Sequence, residues 1–337
     1  MQMQGQRSAY NREDLLLLKQ DAVKLLGSLI EIPSFSGEEH RTASAIEGFL
    51  SERGVIANRY LNNIWAKNLF FDENKPTLLL NSHHDTVRPN PGYTRNPFSA
   101  ITEDDKLYGL GSNDAGGALV SLISAFLNFY SQPDLKYNLV LAASAEEEIS
   151  GKNGIESLLP LLGKIDCAIV GEPTKMDLAV AEKGLLVLDA TAFGKAGHAA
   201  RNEGENALYK AMKDIEWIRS YTFPKISPLL GPVKMTVTSI ETANKAHNVI
   251  PDVCRFIIDV RVNELYTFEE IIKEIKKNIS SEITPRSLRM KSSCIESNHL
   301  LVQSALTTGG KIYGSPTSSD KALMPFPALK MGPGDSA

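Results

Sequence analysis

Two neighbouring segments decide the fold: PTLLLNSHHDTV at residues 76–87 and LYGLGSNDAGG at residues 107–117. The apolar run Thr77 to Leu80 has strand length and delivers His83 and Asp85 to its carboxyl end, where open α/β sheets place their ligand sites. In the second segment Gly109, Gly111, Gly116 and Gly117 surround Asp114, in a turn that leads into the apolar run Ala118 to Phe129. Glycine permits the close backbone approach such a turn needs. A histidine followed two residues on by a carboxylate can serve a metal in two ways, because the Asp either ligates or holds the imidazole from behind. The spacing favours the second, since residues i and i+2 of an extended chain project the same way. His84 then points elsewhere.

Working outward, the same pattern recurs. A strand over Tyr137 to Ser144 runs into Glu146-Glu147-Glu148, and a strand over Cys167 to Val170 runs into Gly171-Glu172-Pro173-Thr174. Alternating strands and helices imply a mostly parallel sheet, whose rim would gather His83, Asp114, Glu148 and Glu172 with nothing basic among them. Clustered acids are costly unless a cation neutralises them, so the pattern predicts a divalent-metal cluster. Carboxylates with histidine suit zinc, with manganese or cobalt as substitutes.

Upstream, leucines at helical spacing predict an amphipathic helix over 11–30, with Leu15, Leu18, Ala22, Leu25, Leu26 and Leu29 on its apolar face. Residues 1–10 read as a disordered lead. Ser36-Gly37-Glu38-Glu39 reads as an N-cap and first-turn acids opening a helix from Glu38 to Arg53, and 55–60 with 64–68 as a small hairpin. Downstream of Gly184 the pattern changes to β-α-β-β-α. Strands at 184–193, 233–240 and 254–262 and helices at 206–221 and 268–281 are followed by a final strand near 288–292, the outline of an inserted open-faced sandwich. Its loops carry His198, in Gly197-His198-Ala199-Ala200, and Asn248, in Asn248-Val249-Ile250-Pro251.

A chain of 337 residues, 42% hydrophobic and 23% charged, fits a two-domain globular protein. The net charge of -4 and the lack of a basic run argue against a nucleic-acid partner, and no apolar stretch has membrane-span length. No signal-peptide core is present near the start, so cytoplasm is the default expectation. Cys167, Cys254 and Cys294 lack metal-type spacing and read as reduced packing residues.

Taken together, over residues 12–337, these motifs resemble the dinuclear zinc aminoacylase and carboxypeptidase family, which includes acetylornithine deacetylase, N-acetyl-lysine deacetylase and succinyl-diaminopimelate desuccinylase. His83-His84-Asp85 is similar to its His-x-Asp strand end, Gly111-Ser112-Asn113-Asp114 to its bridging-aspartate turn, and Glu146-Glu147-Glu148 to its Asp-Glu-Glu, with Glu for the first Asp. Gly171-Glu172-Pro173-Thr174 matches its second carboxylate ligand. The resemblance implies an α/β zinc-peptidase-like catalytic domain with a mostly parallel central sheet flanked by helices, at 11–181 and 293–337. It also implies an inserted α+β ferredoxin-like lid and dimerisation domain at 182–292.

By the same resemblance, two zincs bind per subunit, one on His83, Asp114 and Glu172, the other on Asp114, Glu148 and a further histidine. Asp85 supports His83, the bond after Asp114 is cis, and Glu147 is the general base. His198 donates to the oxyanion, often from the partner subunit of a homodimer formed through the lid. Asn248 and Arg261, in Asp259-Val260-Arg261, contact the oxyanion region or the substrate carboxylate.

The pattern departs from the family at two places. Asn202 stands where a proline is common, and no histidine follows Gly332-Pro333-Gly334-Asp335-Ser336 before Ala337. We therefore expect a C-terminal continuation that carries the last ligand. The activity implied is hydrolysis of a small N-acyl amino acid, with acetylornithine, acetylcitrulline or acetyl-lysine first. A desuccinylase or dipeptidase is the alternative, and a non-catalytic binder of amino-acid derivatives the reading from another class.

Overall fold

The computed structural model describes residues 12–201 and 203–335 and divides into two units, 1–179 with 296–312 and 324–337, and 180–295 with 313–323. The readings made for residues 1–10, for Asn11 and Asn202, and for the last two positions lie outside the described residues.

The first unit is built on a mixed sheet. Its centre is parallel: Asn138–Ser144 and Cys167–Val170 flank Thr77–His83, and Ala328–Lys330 lies beyond Cys167–Val170. One edge departs from the parallel expectation, because the hairpin Ala57–Tyr60 and Asn63–Lys67 pairs antiparallel with Asn138–Ser144. The two-residue connection inside the hairpin permits only antiparallel pairing of its own two strands. Every residue of Asn138–Ser144 is buried, as expected for a strand covered on both faces. The helix Gly117–Phe129 packs on this sheet through Leu119, Ile123 and Phe126, none more than 1% exposed. Burying each such side chain stabilises the fold by roughly 2 kcal/mol.

The first helix, Arg12–Ile30, buries its apolar stripe only from Leu25 onward, and Leu15 stays exposed. No described helix is long and apolar enough to cross a membrane.

Register sets the chemistry. His83 pairs with Ser144 and Asn81 with Val170, so three neighbouring parallel strands end within two residues of one another. The chain segments that leave those ends carry Asp85, Glu147 with Glu148, and Glu172.

The second unit holds a four-stranded antiparallel sheet in the order Lys234–Glu241, Val253–Val262, Gly184–Phe193, Glu282–Pro285. Helices Ala207–Ser220 and Phe268–Asn278 share its core with Leu186, Leu188, Phe256 and Ile258. Thr267 and Glu270 form a reciprocal capping box on the second helix, a contribution of about 1 kcal/mol. The fourth strand forms at 282–285 rather than near 288–292. Ile283 is buried there and Arg286 clasps the Asp189 carboxylate, whereas Leu288 is exposed.

Candidate metal centre

His83 is buried at the strand end with its two ring nitrogens in different surroundings. Nδ1 lies 3.0 Å from the Asp85 carbonyl and 3.3 Å from Asp85 Oδ1. A carbonyl only accepts, so Nδ1 carries the proton and Nε2 is the atom offered outward. Nε2 stands 3.1 Å from Asp114 Oδ1, 3.8 Å from Glu172 Oε1 and 4.0 Å from Glu147 Oε2. Ligand atoms of His83, Asp114 and Glu172 lie within 4.8 Å of one another. Burial opposes charging the imidazole, but the Asp114 and Asp85 carboxylates, with Glu147 and Glu172, hold its pKa well above the usual value. One imidazole nitrogen among carboxylate oxygens is a donor set suited to a divalent cation.

Asp85 organises the acidic segment behind this group. Its Oδ1 accepts from the Glu147 backbone N–H at 3.0 Å, and its Oδ2 from the Glu148 N–H at 3.1 Å and Ser36 Oγ at 2.7 Å. Burial alone would raise its pKa; the bonds to His83 and Ser36 and the Glu148 N–H bring it down to about 2. The neighbouring Glu148 carboxyl is pushed up to about 7 by burial, with Asp114 and Asp85 adding to the effect. Glu148 stands outside the three-residue group of His83, Asp114 and Glu172.

Asp114 sits in a turn whose Asp114–Ala115 peptide bond is cis, as the resemblance implied. Gly111, at φ +76°, closes that turn by accepting the Gly116 N–H at 2.9 Å, and a Cβ on Gly111 would strike Thr86. Glu172 follows its strand end in a segment pinned from far along the chain. Thr174 and Met176 donate their N–H groups to the Gly332 carbonyl, and Lys175 donates to that of Gly334.

Among the residues singled out in the second unit, His198 and Asn248 are brought together. His198 pairs with Val249 across a two-strand ladder, and the Ala199 N–H donates to the Asn248 carbonyl at 2.9 Å. Arg261 makes a bidentate bond to Asp259 at 2.8 and 3.0 Å.

Local sequence pattern missed Ser36 and Glu39. Ser36 serves Asp85 rather than a helix, which begins only at His40, and Glu39 is wholly buried and accepts from two loops. A glutamate two residues after a glycine, expected to be a first-turn acid, gives no local sign of such contacts.

His84 has a purely structural place. It is buried, with Nε2 2.9 Å from the Asn62 carbonyl and Nδ1 2.9 Å from Thr42 Oγ1, and burial brings its pKa down to about 4. The native state therefore leaves this ring neutral at a pH where the unfolded chain protonates it. Stability from this group is present above about pH 6.5 and is lost as pH falls toward 4. In urea unfolding of metal-free protein, wild type should lose stability relative to His84→Gln by about 1 kcal/mol per pH unit between pH 6 and 4.5. Parallel losses in the two proteins would refute this.

The second unit matches the M20 peptidase dimerisation domain over residues 180–286. The succinyl-diaminopimelate desuccinylase of Orientia tsutsugamushi (strain Ikeda) is 27% identical over 298 residues, 83% of this chain and 76% of that protein. In its second unit and in these relatives the chain is similar to the M20 peptidase family. That likeness agrees with the zinc aminoacylase and carboxypeptidase resemblance read from the motifs.

Two M20 structures share the fold. The metallo-carboxypeptidase Sso-CP2 from Sulfolobus solfataricus has a TM-score of 0.70 at 20% identity, covering 95% of this chain and 91% of that one. The Bacillus subtilis YXEP protein, described as a dinuclear metal-binding peptidase, has a TM-score of 0.70 at 15% identity, covering 94% and 89%. These likenesses support a metal-dependent hydrolase of amide bonds, and the second unit matches a dimerisation domain. The narrower expectation of an acetylornithine deacetylase finds no specific support in these likenesses. The desuccinylase alternative is the one that matches the names its relatives carry.

Proposed function

We propose that this M20 hydrolase removes an acyl group, succinyl first, from the amine of an amino acid, using two zincs per subunit in a homodimer. The observation that carries the reading is the meeting of His83 Nε2 with Asp114 and Glu172, with the Glu147 carboxylate 4.0 Å from the same nitrogen. His83, Asp114 and Glu172 would hold one ion, and Asp114 and Glu148 would take part in holding the second. When bound, the ions polarise the amide carbonyl and acidify water toward neutrality.

The chain's own groups do the rest. Glu147, in no ligand role, takes a proton from the attacking water and hands it to the departing amine. Asp85 fixes both partners of that step, because one carboxylate holds the His83 ring and the Glu147 and Glu148 backbones. His198 is the proposed donor to the developing oxyanion, acting from the partner subunit, with Asn248 beside it and Arg261 for a substrate carboxylate.

The test is a mass-spectrometric competition in which zinc-loaded protein meets succinyl- and acetyl-diaminopimelate, -ornithine, -citrulline and -lysine together with dipeptides. Preferential loss of one succinylated amino acid is the expected result. Preferential loss of an acetylated one would return the deacetylase alternative, and consumption of none with two zincs bound would overturn the hydrolase reading for these substrates.

A further inference from the structure

Glu39 is 0% exposed, and while its carbonyl accepts from the helix it precedes, its carboxylate bonds reach three loop residues, Gly37, Asn62 and Glu146. Its Oε1 accepts from the Gly37 N–H at 2.6 Å and from the Glu146 N–H at 3.2 Å, and its Oε2 from Asn62 Nδ2 at 2.9 Å. Each contact is one step from a group already described. Gly37 follows Ser36, which donates to Asp85; Glu146 precedes Glu147; the Asn62 carbonyl faces His84 Nε2.

The Glu146–Gly151 loop shows what this carboxylate secures. Glu146 and Ser150 bracket the acids at φ +56° and +49°, a left-handed conformation that non-glycine residues hold only when their surroundings impose it. Three restraints impose it. The Gly151 N–H donates to the Glu146 carbonyl at 2.8 Å, the Glu146 side chain accepts from Asn153, and Asp85 takes the Glu147 and Glu148 N–H groups. Upstream of Glu147, the Glu146 N–H is given to Glu39.

We infer that Glu39 is a positioning residue for the proposed general base, fixing Glu147 through the Glu146 N–H and fixing Asp85 through the Gly37–Ser36 turn. This rests on the hydrolase reading. The contribution is one of geometry: two N–H groups and a side-chain amide converge on one buried carboxylate, so a neutral isostere that keeps the acceptor oxygen over Gly37 and Glu146 retains most of it. Misplacement of a reacting group by about 1 Å can cost on the order of 100-fold in rate.

The experiment compares full-length wild type, E39Q and E39A by steady-state kinetics, zinc content, thermal melting and hydrogen exchange. Expected for E39A is a cooperative fold with two zincs, kcat lowered about 10- to 100-fold and KM within about 3-fold. Exchange at 146–149 should rise about 10-fold or more while that of 138–144 is unchanged. E39Q should restore kcat to within about 3-fold of wild type and restore protection. Parallel loss of zinc, KM and exchange protection throughout the first unit would overturn the proposal in favour of a general structural role. So would unchanged kcat and protection in a folded E39A. An E39Q as impaired as E39A would overturn the geometric account. If wild type turns over no substrate, the hydrolase reading fails by itself, and the exchange at 146–149 still decides whether Glu39 fixes the loop.

Discussion

Glu147→Gln is expected to lower kcat about 1,000-fold or more while both zincs stay bound and substrate affinity changes little. General acid-base groups contribute roughly 100- to 10,000-fold, and in the proposed reaction this one carboxylate serves twice, on the attacking water and on the departing amine. An isosteric amide keeps the volume and polarity of the side chain but cannot accept the proton. Its backbone N–H remains on Asp85, so the loop has no reason to move. Initial rates and zinc content of the same preparation check this. Activity within 10-fold of wild type would remove Glu147 from the proton path, and loss of zinc with activity would make it a ligand instead.

Asp85→Ala should be the most damaging change away from the ligands themselves. It strips the acceptor from the Glu147 and Glu148 N–H groups and from Ser36 Oγ, and takes the carboxylate away from His83 Nδ1. Each buried donor left unsatisfied costs about 1–3 kcal/mol, and loss of the group behind a ligating histidine lowers metal affinity about 10- to 100-fold. We expect a stability loss of roughly 3–5 kcal/mol, with zinc lost at chelator concentrations wild type withstands. Asp85→Asn separates the two effects, since its amide oxygen can still accept from one backbone N–H. Unfolding curves of metal-free protein report the first effect and competition with a chromophoric chelator the second. A fully stable Asp85→Ala with wild-type zinc affinity would show that neither the ring nor the acid loop depends on this carboxylate.

The parts legible in the sequence are those where one local signal suffices. The run Thr77–His83, the all-buried Asn138–Ser144 and Cys167–Val170 are apolar stretches that end in chemistry-bearing residues, and the inserted unit keeps alternation through Gly184–Phe193. The strands Leu178–Glu182 and Ala328–Lys330 gave no such signal. Both are short, and in the first unit they meet only when Lys330 pairs with Ala179 from far along the chain. The fourth strand of the inserted sheet was displaced because Ile283 and the Arg286–Asp189 pair, not local propensity, choose its position. Ser36 and Glu39 look like helix-start residues and were read so; their partners lie 49 and 107 residues away.

The pinning of the Glu172 segment also sets a schedule for synthesis. Thr174 and Gly332 are 158 residues apart, and Gly332 approaches so closely that a Cβ there would meet the Glu172 carbonyl. During translation His83, Asp114 and the Glu147 loop all emerge long before the residues that fix Glu172 in place. Contacts this distant close slowly. A nascent chain would thus display Glu172 well before the Gly332 segment that holds it in place has emerged.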